Sequence, residues 1–523
     1  MPSISNFLLR ITACSLIFCS INLQAQVLTT KQIDSVAEKT LAAFDVPGLA
    51  VAVVKDGKVI HSKGYGVRSL KNNLKVDEHT LFGIASNTKA FTAAAVGMLV
   101  DEKKITWDSK VTDIIPEFKL YDAYVTSQFT IRDLLSHRSG LGLGAGDLMI
   151  WPDSSTVTKK QIIHNLRYLK PVSSFRTQWD YDNLLYIVAG EVIERISGLK
   201  YEDFIETRIM QPLGMTKSAL SYNRLKDKTN IIDAHAPVNG KIAVIPKDFT
   251  ENSNAAGGMN ASVSELSKWA LVQLNGGKYG EKLDKTLFSK AAQNQMWTLH
   301  SIIPAGKGSY NRHFFGYGLG WFLSDEKGYM VAEHTGGLAG MVSEVTLIPD
   351  LKLGIIVLTN QQAGGAFTAI TESIKDGYFG ITGKNRIKGA SDNEKQERSY
   401  GKQVTDKVWA DIATAQKNVN NKPAVRNYLG TYQDEWFGVV TISELNGKMH
   451  FEAKNSPKLK GDMVYYKGNT FIVKWYDRSM DADAFVNFSL DFEGKPTAIK
   501  MEAISPLTDF SFDFQDLDLK KVD

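Results

Sequence analysis

The sequence predicts an α/β (α+β) chain, an antiparallel sheet flanked by helices, followed by a small all-β barrel. Three observations carry that expectation. Strand-like hairpins stand near both ends of residues 26–383, with helical segments between them. Composition then shifts after Gly383: residues 384–424 are rich in charge and poor in large apolar groups, as a linker or solvated helix would be. From Tyr428 the text becomes short alternating strands separated by turn dipeptides.

Each element has a local reason. Ile33, Val36, Leu41 and Phe44 recur at helical spacing from Lys31 to Phe44, and Pro47-Gly48 ends the pattern. Leu49–Val54 and Val59–Val67 are apolar runs joined through Asp56-Gly57, a hairpin signal. Asn87–Glu102 reads as a helix whose Ala90, Ala93, Ala94, Ala95 and Met98 offer close-packing surface. Glu344–Ile348 and Leu353–Leu358 form a second hairpin around Pro349-Asp350. Helices packed on a sheet built from both ends is the economical arrangement for this unit. In residues 425–523 the strands are Val439–Ile442, Met449–Glu452, Thr470–Trp475, Phe485–Leu490 and Ala498–Glu502. Asn446-Gly447 and Glu493-Gly494 supply turns, so a small β-barrel, or a sandwich, follows.

Composition narrows the function classes. The chain has 523 residues, 43% of them hydrophobic, and a net charge of +4 from 61 basic and 57 acidic side chains. That balance argues against nucleic acid as a partner. No apolar run after the first thirty residues is long enough to span a bilayer. Residues 1–25 differ: Arg10, an apolar stretch from Ile11 to Ile21 and a small residue at Ala25 read as a cleaved signal peptide, implying a periplasmic or secreted protein. Both cysteines, Cys14 and Cys19, lie within it, so disulfides, thiolate metal sites and a cysteine nucleophile are excluded from the mature chain. The nine histidines show no ligand spacing, and neither a metal nor another cofactor is expected.

The chemistry centres on Ser86-Asn87-Thr88-Lys89, at the start of the Ala-rich helix. A spacing of three puts the hydroxyl and the ammonium on one helix face. A serine is a weak nucleophile until a neighbouring base takes its proton, and a lysine serves only when burial lowers its pKa. Alone the motif is unspecific, because Ser-x-x-Lys recurs at Ser197, Ser324 and Ser399. Two rarer partners add weight. Tyr181-Asp182-Asn183 is the single Tyr-x-Asn, and His334-Thr335-Gly336 the single His-x-Gly. A phenol near Ser86 can relay a proton, and the asparagine can hold Lys89 and a substrate amide. Met330–Glu333 reads as a strand closed by His334-Thr335-Gly336-Gly337, where glycines would admit a substrate to backbone N–H donors.

Taken in this order, the three motifs resemble the serine β-lactamase and penicillin-binding-protein superfamily, in its class C-related branch. Ser136–Leu141, Ala256–Met259 and Gly316–Trp321 are similar to connecting motifs of that branch. The resemblance covers about residues 30–380, and the remainder resembles the lipocalin-like β domain that follows this hydrolase in many bacterial proteins. It implies Ser86 as the acylated nucleophile, Lys89 as its base, Tyr181 as proton shuttle and Asn183 as the group orienting Lys89 and the substrate. The Ser86 and Gly337 backbone N–H groups would hold the oxyanion. Thr335 and Gly336 would contact substrate, and Trp151 and Tyr317 are candidates to line an acyl pocket, although core packing explains those two aromatics equally well. His334 stands where true class C β-lactamases have lysine; His-Thr-Gly looks more like D-alanyl-D-alanine carboxypeptidases, D-aminopeptidases and related esterases. The expected substrate is therefore a small molecule or short peptide, either a D-amino-acid peptide or a short ester. A β-lactamase, an acyltransferase and a non-catalytic cell-wall or peptide-binding protein are the alternatives. If the His334 charge binds an anionic substrate, activity should fall as it deprotonates near its ordinary value of about 6.5.

Overall fold

A computed structural model describes residues 27–247, 251–417 and 423–522; residues 1–25, expected to be a signal peptide, lie outside the described residues. The first strong element is α1 (Thr30–Phe44), opened by a capping box in which Thr29 and Gln32 satisfy each other's backbone N–H groups. The hairpin β1 (Gly48–Lys55) and β2 (Lys58–Gly66) turns at Asp56 and Gly57, both with positive φ, as the primed two-residue turn requires. Next come α2 (Thr88–Asp101), α3 (Leu184–Ser197) and α4 (Val263–Leu274). The chain then returns to the sheet with β3 (Ser301–Ile302), β4 (Phe315–Tyr317), β5 (Phe322–Glu326), β6 (Tyr329–Leu338), β7 (Met341–Ile348) and β8 (Leu353–Thr359). The order across this antiparallel sheet is β2-β1-β8-β7-β6-β5-β4-β3, so strands from both ends of the domain meet where β1 pairs with β8.

Both faces of the central strands are covered, and β1 and β8 accordingly read as continuous apolar runs with almost no exposed residue. One face packs against α1 and α5 (Gly364–Phe379), burying Ile33, Phe44, Val51, Ile355 and Ile370. The other packs against α4 and the helical layer around α2. In α2 every residue from Thr88 to Leu99 is buried, which small alanines permit, and Phe91 stacks on Trp269 of α4 at 3.9 Å.

The charged segment is mostly helix: α6 (Arg386–Lys417) runs for 32 residues, held by i,i+4 pairs such as Lys388–Asp392 and Lys402–Asp406. It packs on α1, α5 and the barrel, with Val408 and Ile412 buried, and so departs from a flexible connection. The barrel closes in sequence order through β9 (Gly430–Asp434), β10 (Gly438–Leu445), β11 (Lys448–Ala453), β12 (Lys460–Lys467), β13 (Thr470–Trp475), β14 (Ala484–Leu490), β15 (Pro496–Ala503) and β16 (Leu519–Lys521). The expected five strands are present. The alternation pattern passed over β9, β12 and β16, which are short or interrupted by a register shift between Tyr465 and Lys467.

Candidate active site

Ser86 sits on a turn that the local sequence alone would not choose. Ala85 has φ of 49°, a left-handed conformation that costs a side-chain-bearing residue free energy. The surroundings hold it there. The Ile84 N–H donates to the Met259 carbonyl at 2.9 Å, Thr88 Oγ1 donates to the Ala85 carbonyl at 2.6 Å, and Ser343 Oγ donates to the Ile84 carbonyl at 2.7 Å. Ser86 then lies in the single 3₁₀ turn Ala85–Asn87 before α2, half-buried at the floor of a cleft. It is not the cap of that helix, whose capping position is Asn87.

Lys89 is wholly buried, and its Nζ lies 3.0 Å from Ser86 Oγ, 2.7 Å from Asn183 Oδ1 and 2.9 Å from the Ala256 carbonyl. These contacts are neutral; the carboxylates of Asp147 and Asp182 act on it only from farther off. Burial therefore pulls the Lys89 ammonium down to about 7, against the opposing pull of those two acids. Tyr181 acts on Ser86 as well, and Lys89 Nζ stands 4.8 Å from the centroid of its ring. Burial pushes that phenol well above its ordinary value, so it stays protonated at neutral pH. At neutral pH Lys89 is thus able to take a proton and Tyr181 able to give one.

The motifs flagged as connectors pack around the site, and of them Ala256, Gly257 and Gly258 line the cleft. His137, at φ of 55°, lies 4.2 Å from the Tyr181 ring between centroids and accepts the Asp182 N–H at Nδ1. Gly320, at φ of 78°, lets the chain pass the Lys89 carbonyl, where a Cβ would fall 2.8 Å from that oxygen. A Cβ on Gly336 would stand 2.3 Å from the Ile84 carbonyl, so only glycine lets β6 approach the Ser86 turn this closely. Strand β5 pairs with β6 only as far as Phe322↔Glu333, and beyond it residues 334–338 border the cleft. Thr335 and Gly337 are exposed there, and Gly337 meets open space.

Three expectations need correction. The strand does not close at His334; β6 runs on to Leu338, because Gly336 and Gly337 still pair with Ser343 and Val342. His334 carries no charge at neutral pH. It is 1% exposed, contacts the Tyr317 hydroxyl through Nε2 at 2.9 Å and the Thr335 carbonyl through Nδ1 at 2.6 Å, and burial pulls it down to about 3. An imidazolium clamp for an anionic substrate, lost near pH 6.5, is thereby excluded. Tyr317 is fully buried behind His334 and lies outside the cleft lining, whereas Trp151 does line it.

The cleft has a volume of ≈540 Å³ and is mainly apolar, with Trp151, Trp179, Tyr181, Phe322 and Phe510 in its wall. That size suits a small molecule or short peptide. Sequence reasoning passed over Asp147, Trp179, Phe322 and Phe510. Asp147 lies in the loop Gly144-Ala145-Gly146-Asp147 and Phe510 belongs to the barrel, and no motif marks either. Among the described residues no cluster of His, Cys, Asp or Glu is arranged to hold a metal ion, and no helix is long and apolar enough to cross a membrane.

A serine beside a near-neutral lysine and a protonated tyrosine, on a helix-flanked antiparallel sheet, defines the class that sequence comparison identifies. Residues 33–377 match the beta-lactamase family model, and the chain belongs to that family. Residues 414–521 match a domain of unknown function, DUF3471. An unguisins hydrolase of Aspergillus campestris is 29% identical over 337 residues, covering 62% of this chain and 60% of that protein. A second unguisins hydrolase, from Aspergillus violaceofuscus, is 26% identical over 79% of this chain and 76% of its own length. Protein flp of Staphylococcus aureus is 28% identical over 63% of this chain and 62% of that protein. The alignment thus spans less than two thirds of the first and third relatives. Among solved structures, the octameric penicillin-binding protein homologue of Pyrococcus abyssi superposes with a TM-score of 0.61 at 20% identity, over 92% of this chain and 99% of that one. SurE superposes at 0.55 and 16% identity, over 94% and 99%. Both likenesses establish a shared fold.

Proposed function

We propose that this chain is a serine hydrolase that cleaves small amide or ester bonds through an acyl-serine intermediate. The observation carrying this reading is the Lys89 Nζ, 3.0 Å from Ser86 Oγ and close to neutrality. Lys89 takes the Ser86 proton as Oγ attacks the substrate carbonyl. The Ser86 and Gly337 N–H groups receive the developing oxyanion. Tyr181 delivers a proton to the leaving amine or alcohol as the acyl–heteroatom bond breaks, and is reprotonated from Lys89. Water then attacks the acyl-serine by the same route in reverse.

The cleft supports a narrower substrate class. His334 is neutral, and the lysine lining the cleft, Lys247, is paired with Asp233 at 3.1 Å. A substrate's terminal carboxylate would find no free cation among these two groups. Short esters and peptides with an N-terminal D-residue are therefore favoured over a carboxypeptidase substrate. The residue 1–25 signal supports a periplasmic or secreted setting.

The test is the intact mass of residues 26–523 after exposure to a fluorophosphonate, with Ser86→Ala alongside. One adduct on the wild type and none on the variant is expected, followed by a screen of short esters, D-residue peptides and β-lactams, with added amines to detect acyl transfer. No adduct on the wild type would favour a binding protein. Equal labelling of both would place the nucleophile elsewhere.

A further inference from the structure

The segment between β15 and β16 leaves the barrel and docks beside the active site. Phe510 lies edge-on to Tyr181, 5.8 Å between centroids, and Phe512 lies edge-on to Trp151 at 6.1 Å. The Asp513 carboxylate accepts the N–H groups of Gly146 and Leu148 at 2.6 and 3.0 Å, bracketing Asp147. Ser511 Oγ donates to Asp147 Oδ2 at 2.8 Å. That same oxygen accepts Asn183 Nδ2 at 2.7 Å, and Asn183 Oδ1 lies 2.7 Å from Lys89 Nζ. A continuous chain of hydrogen bonds thus runs from the barrel to Ser86: Ser511, Asp147, Asn183, Lys89, Ser86.

We propose that Ser511, carried by the barrel, is a positioning residue for the Ser86–Lys89 pair, acting through Asp147 and Asn183. The inference rests on the acyl-serine reading above. Asp147 is fully buried and its Oδ1 has no hydrogen-bond partner, so the carboxylate depends on the two donors to Oδ2. Burial raises it to about 8, and the Ser511 and Asn183 hydrogen bonds oppose that rise. It faces Lys89 from α2, Asp182 and Tyr181 from the turn before α3, and Asp513 from the barrel. Lys89 also faces His137 and His334, both held neutral by burial, and the rings of Tyr181 and Tyr186. With Asp147 at about 8 and Lys89 at about 7, the carboxyl is mostly protonated while Lys89 titrates, so the relay works through geometry: Ser511 and Asn183 share Oδ2, and that oxygen aims Asn183 Oδ1 at Lys89. Removing the Ser511 hydroxyl frees Asp147 to turn and loosens Asn183, so the Lys89 ammonium loses an acceptor and releases its proton at lower pH.

The test is the rate of fluorophosphonate labelling of the full mature chain against pH, from 5 to 9.5, where the acid limb reports the Lys89 proton. Ser511→Ala is expected to move that limb to lower pH. At pH 6 its rate, relative to its own plateau, rises about threefold over wild type. Asp147→Asn, which keeps an oxygen for both donors, moves the limb less than Ser511→Ala does, and Ser511→Thr returns it toward wild type. A lowered plateau with an unmoved limb in Ser511→Ala would reduce Ser511 to a packing role and overturn the proposal. No labelling of the wild type at any pH would overturn the acyl-serine reading, and the relay with it.

Discussion

Two lysines are buried on opposite sides of the same sheet, and they behave in opposite ways. Lys89 is fully buried on α2 and its Nζ touches a hydroxyl, an amide oxygen and a backbone carbonyl. Lys375, 4% exposed on α5, pairs with Glu326 at 2.5 Å and faces Glu333 and Glu344. Burial lowers the first; the carboxylates outweigh burial and raise the second. Burial alone therefore does not make a base. What distinguishes Lys89 is that the fold buries it while keeping carboxylates out of its first contacts. Lys375 exemplifies the alternative, an ion pair that fixes α5 to the sheet at the cost of desolvating two charges.

The largest effects should separate these roles. Lys89→Met removes the base, and labelling of Ser86 should fall by about 10³-fold or more. Its native state should be as stable as wild type or more so, because a buried amine without a carboxylate contact is exchanged for an apolar chain of similar length. The pH dependence of stability checks the assignment. Between pH about 7 and the ordinary lysine value of about 10.4, the unfolded wild type holds a proton that native Lys89 has released, so stability rises with pH across that window. Lys89→Met should lack that rise in denaturant titrations. A variant that labels at the wild-type rate would dismantle the contrast.

Lys375→Met should do the reverse. Leaving Glu326 buried and unpaired costs about 3–5 kcal/mol in chemical denaturation, while the folded fraction labels normally. Lys375 has a raised native pKa, so the stability it confers is present below the unfolded lysine value and lost as pH rises through the native one. An unchanged denaturation midpoint would show that the pair contributes nothing net.

Phe510→Ala opens the cleft wall beside Tyr181. The loss of apolar contact should lower kcat/KM for an ester or peptide found in the screen by about tenfold, corresponding to about 1.4 kcal/mol. An unaltered kcat/KM would remove Phe510 from the substrate surface. The smallest effect belongs to His334→Gln. The imidazole is already neutral, so the shape of the labelling profile between pH 5 and 8 should match wild type. Stability is where it shows. Native His334 titrates at about 3 and unfolded histidine at about 6.5, so its contribution is full above 6.5 and is lost as pH falls toward 3. Melting temperatures at pH 4 and 7 should therefore differ less in the variant than in the wild type.

Much of this was legible in the residues themselves. Asp56-Gly57, the apolar runs of β1 and β8 and the helical spacing of α1 specify their elements through backbone geometry and period, which are local properties. Ser86, Lys89, Tyr181 and Asn183 were legible because a nucleophile, a base, an acid and an amide are chemically distinctive and two of the motifs occur once. The connectors around His137, Ala256 and Gly320 gave family rather than purpose: His137 accepts the Asp182 N–H, the Ala256 carbonyl holds Lys89, and Gly320 clears the Lys89 carbonyl.

What the sequence could not determine is each group's environment. Whether His334 is charged depends on Tyr317 and the closed wall around it. Whether Lys89 is a base depends on which acids stay beyond contact distance. Ser511 and Asp513 lie more than 300 residues from the loop they hold, in a barrel segment with no distinguishing pattern. Residue types and spacing are inherited from the chain; pKa values and contacts across such distances depend on desolvation and packing, which exist only once the chain has folded.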